Sequence, residues 1–282
     1  DGFLDGLRAS GMSPSKPDEL LARMIDAGMI TQFHADKLAA GKYKGFQIGS
    51  YLILDQIGTG GLLLKMKALG HTTGIIDMTS GDMGWGTPEI RAQESAVAAR
   101  HLKLDHRECL DLGDCRIEDT FENRCRVASV IRRLQPEIIL APYYDLPIGR
   151  GLGHNDHYKS GEIIANAFNL AHLAKAPCEG APWQAKALFF YFIPPGTKAT
   201  FIVDFSDFVE DWIAAIDCHT SQFHHPDRPR PAHLPTPREA FEANARHWGW
   251  QVGARFGQAF LSVNPLKVDD PFTLIETVTP RP

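Results

Sequence analysis

The sequence contains one short segment whose residue types and spacing suit metal chemistry, GHNDH at residues 153–157. Its two histidines, His154 and His157, are three residues apart, and Asp156 lies between them. Such an arrangement can place one imidazole on a metal ion and leave the other facing a reacting carbonyl group, while the aspartate orients a ring through its second nitrogen. Histidines at a helix start also serve as plain polar caps, so spacing alone leaves both interpretations open.

A second polar segment is TSGDMGWGTPEIRAQE, residues 79–94. Its glycines allow the backbone to approach a ligand closely, and Asp82 and Arg91 are suited to hydrogen-bond the hydroxyl groups of a sugar. The alternative is a turn followed by a helix in which Glu89, Arg91 and Glu94 are solvated charges. A ligand-binding loop and an ordinary turn both fit these residues.

Both segments follow apolar runs that predict strands, TTGIIDMT at 72–79 and EIILAPYY at 137–144. Two further strands are predicted at about 187–193 and 201–206, and helices at about 60–69, 88–102, 121–135, 207–222 and 236–250, with another that begins near His157. Apolar strands that alternate with amphipathic helices predict an α/β fold with a Rossmann-like, doubly wound and mostly parallel sheet. In such sheets the active site lies beyond the carboxyl ends of the strands, so we expect both polar segments on one rim.

The N-terminal residues have a different character. Residues 17–41 predict two short amphipathic helices, and GFQIGSYLILDQIGTGG, 45–61, predicts a strand that ends in a glycine turn. We therefore expect a short helical appendage at 1–48 and a larger domain at 49–282. Residues 17–61 resemble the start of a bacterial serine/threonine protein kinase, in which a glycine-rich loop covers the phosphates of ATP. No VAIK-type lysine, HRD or DFG segment follows, so a strand and turn without a nucleotide role is the favoured interpretation.

Composition and charge exclude several classes of protein. The chain has 282 residues, a net charge of −5 and a pI near 6.2, which argues against a general nucleic-acid surface. No apolar run approaches the roughly 20 residues of a membrane span, and no signal peptide is visible. The five cysteines include no CxxC pair, and an odd number is typical of reduced thiols. We therefore expect a cytoplasmic protein that binds neither nucleic acid nor membrane.

Five ordered segments between about residues 60 and 275 together resemble the LmbE/PIG-L family of de-N-acetylases. They are TSGDMGWGTPEIRAQE, PEIILAPYYD, GHNDH, AAIDCHTSQF, and ARHWGWQVGARFGQAF with PLKVDDPF after it. Within the family, the deacetylases of bacillithiol biosynthesis are the most similar subgroup. The resemblance implies a metal-dependent hydrolase, usually with zinc, that removes an N-acetyl group from a glucosamine-type sugar conjugate. It implies a small-molecule N-acetylated amino sugar as the substrate and leaves a homo-oligomer open.

The same resemblance implies roles for residues of this chain. The last histidine of the family's HPDH motif binds the metal and corresponds to His157. The first histidine corresponds to His154, which stabilises the oxyanion or protonates the leaving amine, and Asp156 fills the orienting position of the same catalytic motif. The resemblance makes Asp82, Arg91 and His219 the candidate substrate-binding residues.

One part of the family pattern is missing. The family carries an HPDD motif, which supplies a histidine and an aspartate to the metal, just before a GxGG turn. Aligning that turn on residues 58–61 places Tyr51, Leu52, Ile53 and Leu54 where the motif belongs. None of these four side chains binds zinc, whereas a catalytic zinc needs three protein ligands. We therefore predict severely impaired or absent hydrolysis, with a non-catalytic sugar-binding protein as the alternative function.

Overall fold

The computed structural model describes residues 17–26, 50–54, 59–144, 155–194, 196–223 and 233–270. The chain divides into two units, Asp1–Ile48 and Gly49–Pro282. In the first unit, helix α1 spans Pro17–Asp26 and begins with Asp18 and Glu19, whose negative charges interact favourably with the helix dipole. The second helix that the sequence predicts before Gly41 lies outside the described residues.

The second unit alternates strands and helices along most of its described length. In chain order its elements are β1 (Ser50–Leu54), α2 (Gly60–Ala68), β2 (Thr72–Asp77), α3 (Pro88–His101), β3 (His106–Cys109), α4 (Phe121–Leu134), β4 (Ile138–Pro142), α5 (Asn155–Leu170), β5 (Ala187–Tyr191), β6 (Phe201–Asp204), α6 (Val209–Asp217), α7 (Thr220–Phe223), α8 (Pro237–Gln251) and β7 (Gly257–Ser262). The predicted α/β fold is confirmed. Within the described ranges no helix is both long and apolar enough to cross a bilayer.

The described strands form one sheet in the order β3-β2-β1-β4-β5-β7-β6. Strands β3, β2, β1, β4 and β5 are parallel, whereas β7 runs antiparallel to both β5 and β6. Strand β1 is central, since Tyr51 pairs with Thr73 of β2 on one side and with Ile138 of β4 on the other. The segment that the sequence alignment places at the position of the HPDD motif is therefore an integral strand of this sheet.

Helices cover both faces of the sheet. On one face α2, α3 and α6 enclose a core that includes Leu63 and Trp212. On the other face α4 and α5 enclose a core that includes Ile131 and Ile163. Both faces of β2 and β4 are buried. This explains why the sequences of these strands are continuous apolar runs, without the alternation of polar and apolar residues found in half-exposed strands.

Threonine caps fix where three helices begin. The Thr87 hydroxyl accepts the Ile90 N–H at the start of α3, and Thr120 caps α4 in the same way. At the start of α8, Thr236 and Glu239 form a capping box, in which each side chain bonds the other's backbone N–H. The first of these caps fixes the start of α3 directly after the glycine-rich segment.

The structure differs from the predicted elements in three places. The sequence does not predict strands β3 and β7. Strand β3 is a short run of polar residues, HREC, and β7 spans Gly257–Ser262. The helix predicted at 207–222 is divided into a 3-10 turn at Ser206–Phe208 followed by α6 and α7. The antiparallel β7 also shows that the parallel part of the sheet ends at β5.

Candidate functional site

Hydrogen bonds join three segments at the carboxyl ends of the parallel strands. The first is the glycine loop, residues 79–86, which follows β2, and the second is the β3 turn, residues 110–115. The third is the start of α5. The Met83 N–H donates to Asp114 over 2.8 Å, and the Cys115 N–H donates to Asp156 over 2.8 Å. The β3 turn therefore connects the glycine loop to the start of α5, at the edge where ligands bind in α/β sheets.

The start of α5 carries the two described members of the GHNDH segment that the sequence assigns to the site. Asp156 is only 4% exposed, and its carboxylate lies in the first turn of the helix, where the dipole and the Cys115 N–H both stabilise negative charge. The His157 imidazole stacks on Phe192, with ring centroids 5.8 Å apart and an interplanar angle of 27°. His154, the predicted catalytic histidine, lies outside the described residues.

A glycine sets the distance between α5 and β4. A Cβ atom at Gly161 would lie 2.2 Å from the Pro142 carbonyl oxygen and 3.0 Å from the Tyr144 Cβ. Only glycine fits without movement of the backbone. The position of His157, one turn earlier on the same helix, therefore depends on this close approach.

Arg91 holds the glycine loop from inside. Its Nε donates to the Trp85 carbonyl oxygen over 2.8 Å. Cβ atoms added to Gly81 or Gly84 would collide with its two terminal nitrogens, so these glycines make room for the guanidinium. Asp82 is exposed in the same loop. In the described structure Arg91 thus shapes the loop, and Asp82 is the polar side chain that the loop presents to solvent.

His219 follows α6 and is 2% exposed. Its Nδ1 lies 3.0 Å from the Gln222 side-chain nitrogen. The neighbouring Ser221 is fixed by Glu94, which accepts the Ser221 backbone N–H over 2.6 Å and its hydroxyl over 2.7 Å. Burial, followed by the positive charge of Arg107, lowers the pKa of His219 to about 4. The imidazole is therefore neutral at physiological pH.

One group of described side chains has the donor types of a metal site. Asp114, Cys115 and Asp156 each offer a ligand atom, and these atoms lie within 4.8 Å of one another. Both carboxylates already accept backbone N–H groups, which explains their positions without an ion. Desolvation, and then the Asp114 and Asp156 carboxylates, raise the pKa of the Cys115 thiol and so disfavour the thiolate that binds metals.

The zinc that the family resemblance implies requires His157 and two further ligands. Among the described residues, His157 belongs to no group of three or more histidine, cysteine or acidic side chains placed to share an ion. Residues 55–58 and His154 lie outside the described part of the chain. The described residues therefore do not complete a zinc site at His157.

The structure brings the predicted site residues into two connected sets. Asp156 and His157 share the start of α5, which the β3 turn links to the loop that carries Asp82. Arg91 and His219 are linked through α3, because Glu94 on that helix holds the segment after His219. Sequence reasoning missed the β3 turn, although its GDC sequence shortly before a predicted helix was a signal for a tight polar turn.

Comparisons with known proteins identify several similar proteins. Residues 55–168 match the model of the PIG-L family, described as GlcNAc-PI de-N-acetylase. A diacetylchitobiose deacetylase of Thermococcus kodakarensis is 30% identical over 180 residues, which cover 59% of this chain and 65% of that protein, less than two thirds of its length. The crystal structure of a conserved protein of Thermus thermophilus is 34% identical with a TM-score of 0.68, over 79% of this chain and 97% of that one.

A further comparison concerns the fold alone. The structure of an N,N'-diacetylchitobiose deacetylase from Pyrococcus horikoshii has a TM-score of 0.66 at 22% identity, and covers 89% of this chain and 96% of that one. The family match begins directly after β1, so it leaves out Tyr51–Leu54. Over residues 55–168, less than half of its length, the chain is similar to the PIG-L family.

Proposed function

We propose that this domain binds an N-acetylated glucosamine-type sugar conjugate in the manner of a PIG-L deacetylase, and that hydrolysis of the N-acetyl group is severely impaired in this chain. The family match and the relative named for diacetylchitobiose deacetylation support the class of substrate. The subgroup resemblance favours a bacillithiol-type precursor, in which malate is the aglycone. The rim formed by the glycine loop, the β3 turn and the start of α5 supports the location of the site.

In this proposal the described residues bind and orient the sugar. Asp82 accepts hydrogen bonds from sugar hydroxyl groups, because it is the exposed carboxylate of a loop that Arg91 holds in place. His219 contributes a neutral imidazole to the pocket wall, and Asp156 fixes the start of α5 through the Cys115 N–H. In this proposal these residues bind the sugar and do not take part in hydrolysis.

Hydrolysis of the amide needs more than binding. An attacking water must lose a proton to a base, the oxyanion must be stabilised, and the leaving amine must gain a proton. The family's zinc would supply a bound water of lowered pKa and polarise the carbonyl. Since the described residues do not complete its ligand set, no step of the reaction is assigned to a metal in this chain.

The proposed loss of hydrolysis rests on the amino acids that form β1. Tyr51–Leu54 lie in an internal strand, at the place that the aligned GxGG turn gives to HPDD. Tyrosine, leucine and isoleucine offer no zinc ligand at neutral pH, which leaves His157 as the one matched ligand where three are needed.

Restoring the motif tests this reasoning. A variant in which Tyr51, Leu52, Ile53 and Leu54 are replaced by His, Pro, Asp and Asp is expected to bind zinc and to release acetate from N,N'-diacetylchitobiose, whereas the original chain does neither. The same variant with His157→Ala is the matched control and should lose both properties. A restored variant that keeps its circular dichroism spectrum but binds no zinc would show that the alignment, and with it the proposal, is wrong.

Sugar binding can be measured independently of catalysis. Calorimetric titration with N,N'-diacetylchitobiose should show binding to the original chain that chitobiose without acetyl groups does not match. Asp82→Ala should weaken binding, while Glu89→Ala, an exposed carboxylate at the start of α3, should leave it unchanged. Equal binding of the acetylated and the unacetylated sugar would contradict recognition of the N-acetyl group.

A further inference from the structure

The connection from α5 to β5, residues 171–186, lies across helix α4 and is held there by a buried arginine. Arg132 on α4 is 3% exposed and donates hydrogen bonds to carbonyl oxygens of this connection. The acceptors are Ala171 (2.9 Å), Leu173 (2.7 Å), Cys178 (2.5 Å) and Gly180 (3.3 Å). Because one planar guanidinium bonds four points of the connection, the backbone around residue 178 has a fixed position on α4.

A serine one turn earlier on α4 also holds the α5–β5 connection against this helix. The Ser129 hydroxyl donates to the Cys125 carbonyl oxygen over 2.8 Å and accepts the Glu179 backbone N–H over 2.9 Å. Cys125, Ser129 and Arg132 are four and three residues apart, so they share one face of α4. With Glu179 held at position 129 and the Cys178 carbonyl held at position 132, the Cys178 side chain is brought to the face that carries Cys125.

The Cys125 thiol lies close enough to the Cys178 thiol to affect its titration. Burial, followed by a hydrogen bond with the Cys125 thiol, raises the pKa of the Cys178 thiol to about 11. Both side chains are partly buried, and both are free thiols in this structure. A thiol with a raised pKa is a slow nucleophile at neutral pH, so the Cys178 thiol is protected from rapid exchange.

We propose that Cys125 and Cys178 are a disulfide-forming pair that cross-links helix α4 to the α5–β5 connection under oxidising conditions. With a hydroperoxide as the oxidant, one thiolate attacks the peroxide oxygen to give a sulfenic acid and an alcohol or water, and the second thiol displaces water to form the S–S bond. Two thiols and one hydroperoxide thus give one disulfide, one alcohol or water, and one water. The cysteines lose two electrons in all, and the hydroperoxide gains them.

The bond would close the chain between residues 125 and 178, which encloses β4 and α5. A cross-link over so long a segment constrains the unfolded chain strongly. The oxidised protein should therefore unfold at a higher temperature, by about 5 to 10 °C for a chain of this size. The site is an oxidative modification site of the fold, independent of the sugar-binding proposal.

The test uses the full chain. The reduced protein is incubated with excess hydrogen peroxide or oxidised glutathione, the remaining thiols are alkylated in denaturant, and peptides are analysed by mass spectrometry without reduction. We expect a cross-linked peptide pair containing Cys125 and Cys178, with Cys218 still alkylated, and a faster reaction as the pH is raised from 7 to 9. Cys125→Ser and Cys178→Ser should each abolish the cross-link and the rise in Tm. Cys218→Ser is the matched control and should retain both.

Two results would overturn the proposal. One is oxidation of the exposed cysteines, Cys109 and Cys115, while Cys125 and Cys178 both remain alkylated. The other is an equal rise in Tm on oxidation of the Cys125→Ser variant, because the stabilisation would then come from elsewhere.

Discussion

Replacing Gly161 by alanine tests how closely α5 must approach β4. In most helices this substitution stabilises the protein by about 0.5–1 kcal/mol, because alanine loses less backbone entropy on folding. Here the added methyl group would lie 2.2 Å from the Pro142 carbonyl oxygen, whereas carbon and oxygen atoms in contact are normally about 3.3 Å apart. The helix must therefore move by about 1 Å, and overpacking of this kind costs about 1–3 kcal/mol.

The overpacking term exceeds the gain in helix propensity, so we expect Gly161→Ala to destabilise the protein by about 1–2 kcal/mol, or about 2–4 °C in Tm. Movement of α5 also displaces Asp156 from the Cys115 N–H. Urea unfolding followed by circular dichroism measures the change in free energy. Asn169→Ala, at an exposed position of the same helix, is the control and should show no loss of stability. A Gly161→Ala variant as stable as the original chain would refute the close packing of α5 on β4.

Three further predictions concern other parts of the fold. Arg132→Met leaves one buried and three partly buried carbonyl groups without this donor and should cost about 3–5 kcal/mol in urea unfolding; a loss below about 1 kcal/mol would contradict the role of this arginine. Cys115 has a positive φ of 59°, so Cys115→Gly should stabilise the protein by up to about 1 kcal/mol of relieved strain, and a fall in Tm would count against it. Because His219 has a pKa lowered to about 4, the folded state binds fewer protons than the unfolded state between pH 4 and 6.5. Stability from this group is therefore complete above pH 6.5 and is lost as the pH falls towards 4, by about 2 kcal/mol between pH 7 and 5. Urea unfolding of His219→Gln should show a correspondingly smaller loss over that range, and an equal loss would refute the buried neutral imidazole.

The parts of the fold that could be predicted are those with a strong local signal. β2 and β4 are apolar runs because helices cover them on both faces, and α3 begins at a threonine followed by a proline, which is a strong start signal. β3 gives no such signal, because its four residues are mostly polar and it lies at the edge of the sheet. Its pairing with β2 depends on the tertiary structure rather than on its own sequence.

In the candidate site too, only the features set by neighbouring residues could be predicted from the sequence. That Asp156 and His157 lie together at a helix start could be read from GHNDH. The partner of Asp156 could not, because the Cys115 N–H is 41 residues away in the chain. The orienting role of Asp156 and the metal-binding role of His157 remain predictions.

Arg91 illustrates how burial changes an interpretation. From the sequence it is a candidate sugar ligand or a solvated charge, and in the structure its guanidinium lies among the backbone groups of the glycine loop. The neutral state of His219 likewise depends on burial by residues that are distant in sequence. Both facts depend on the packing of α3 against the segment after α6.

Strand β1 shows what the fold itself requires at this position of the sheet. β1 needs only a β-forming apolar sequence to pair with β2 and β4, and Tyr51–Leu54 provide one. The chemistry of the family needs specific ligands at the same place. Under the proposed function, the fold and the metal chemistry have different requirements at this strand.

The central claim, that this chain lacks the ligands to hold a catalytic metal, is tested most directly by metal analysis of the purified full chain together with acetate release from N,N'-diacetylchitobiose. The account predicts far less than one zinc per chain, even after incubation with zinc and dialysis, and no acetate above the buffer control. One zinc per chain, with turnover that His157→Ala abolishes, would contradict it.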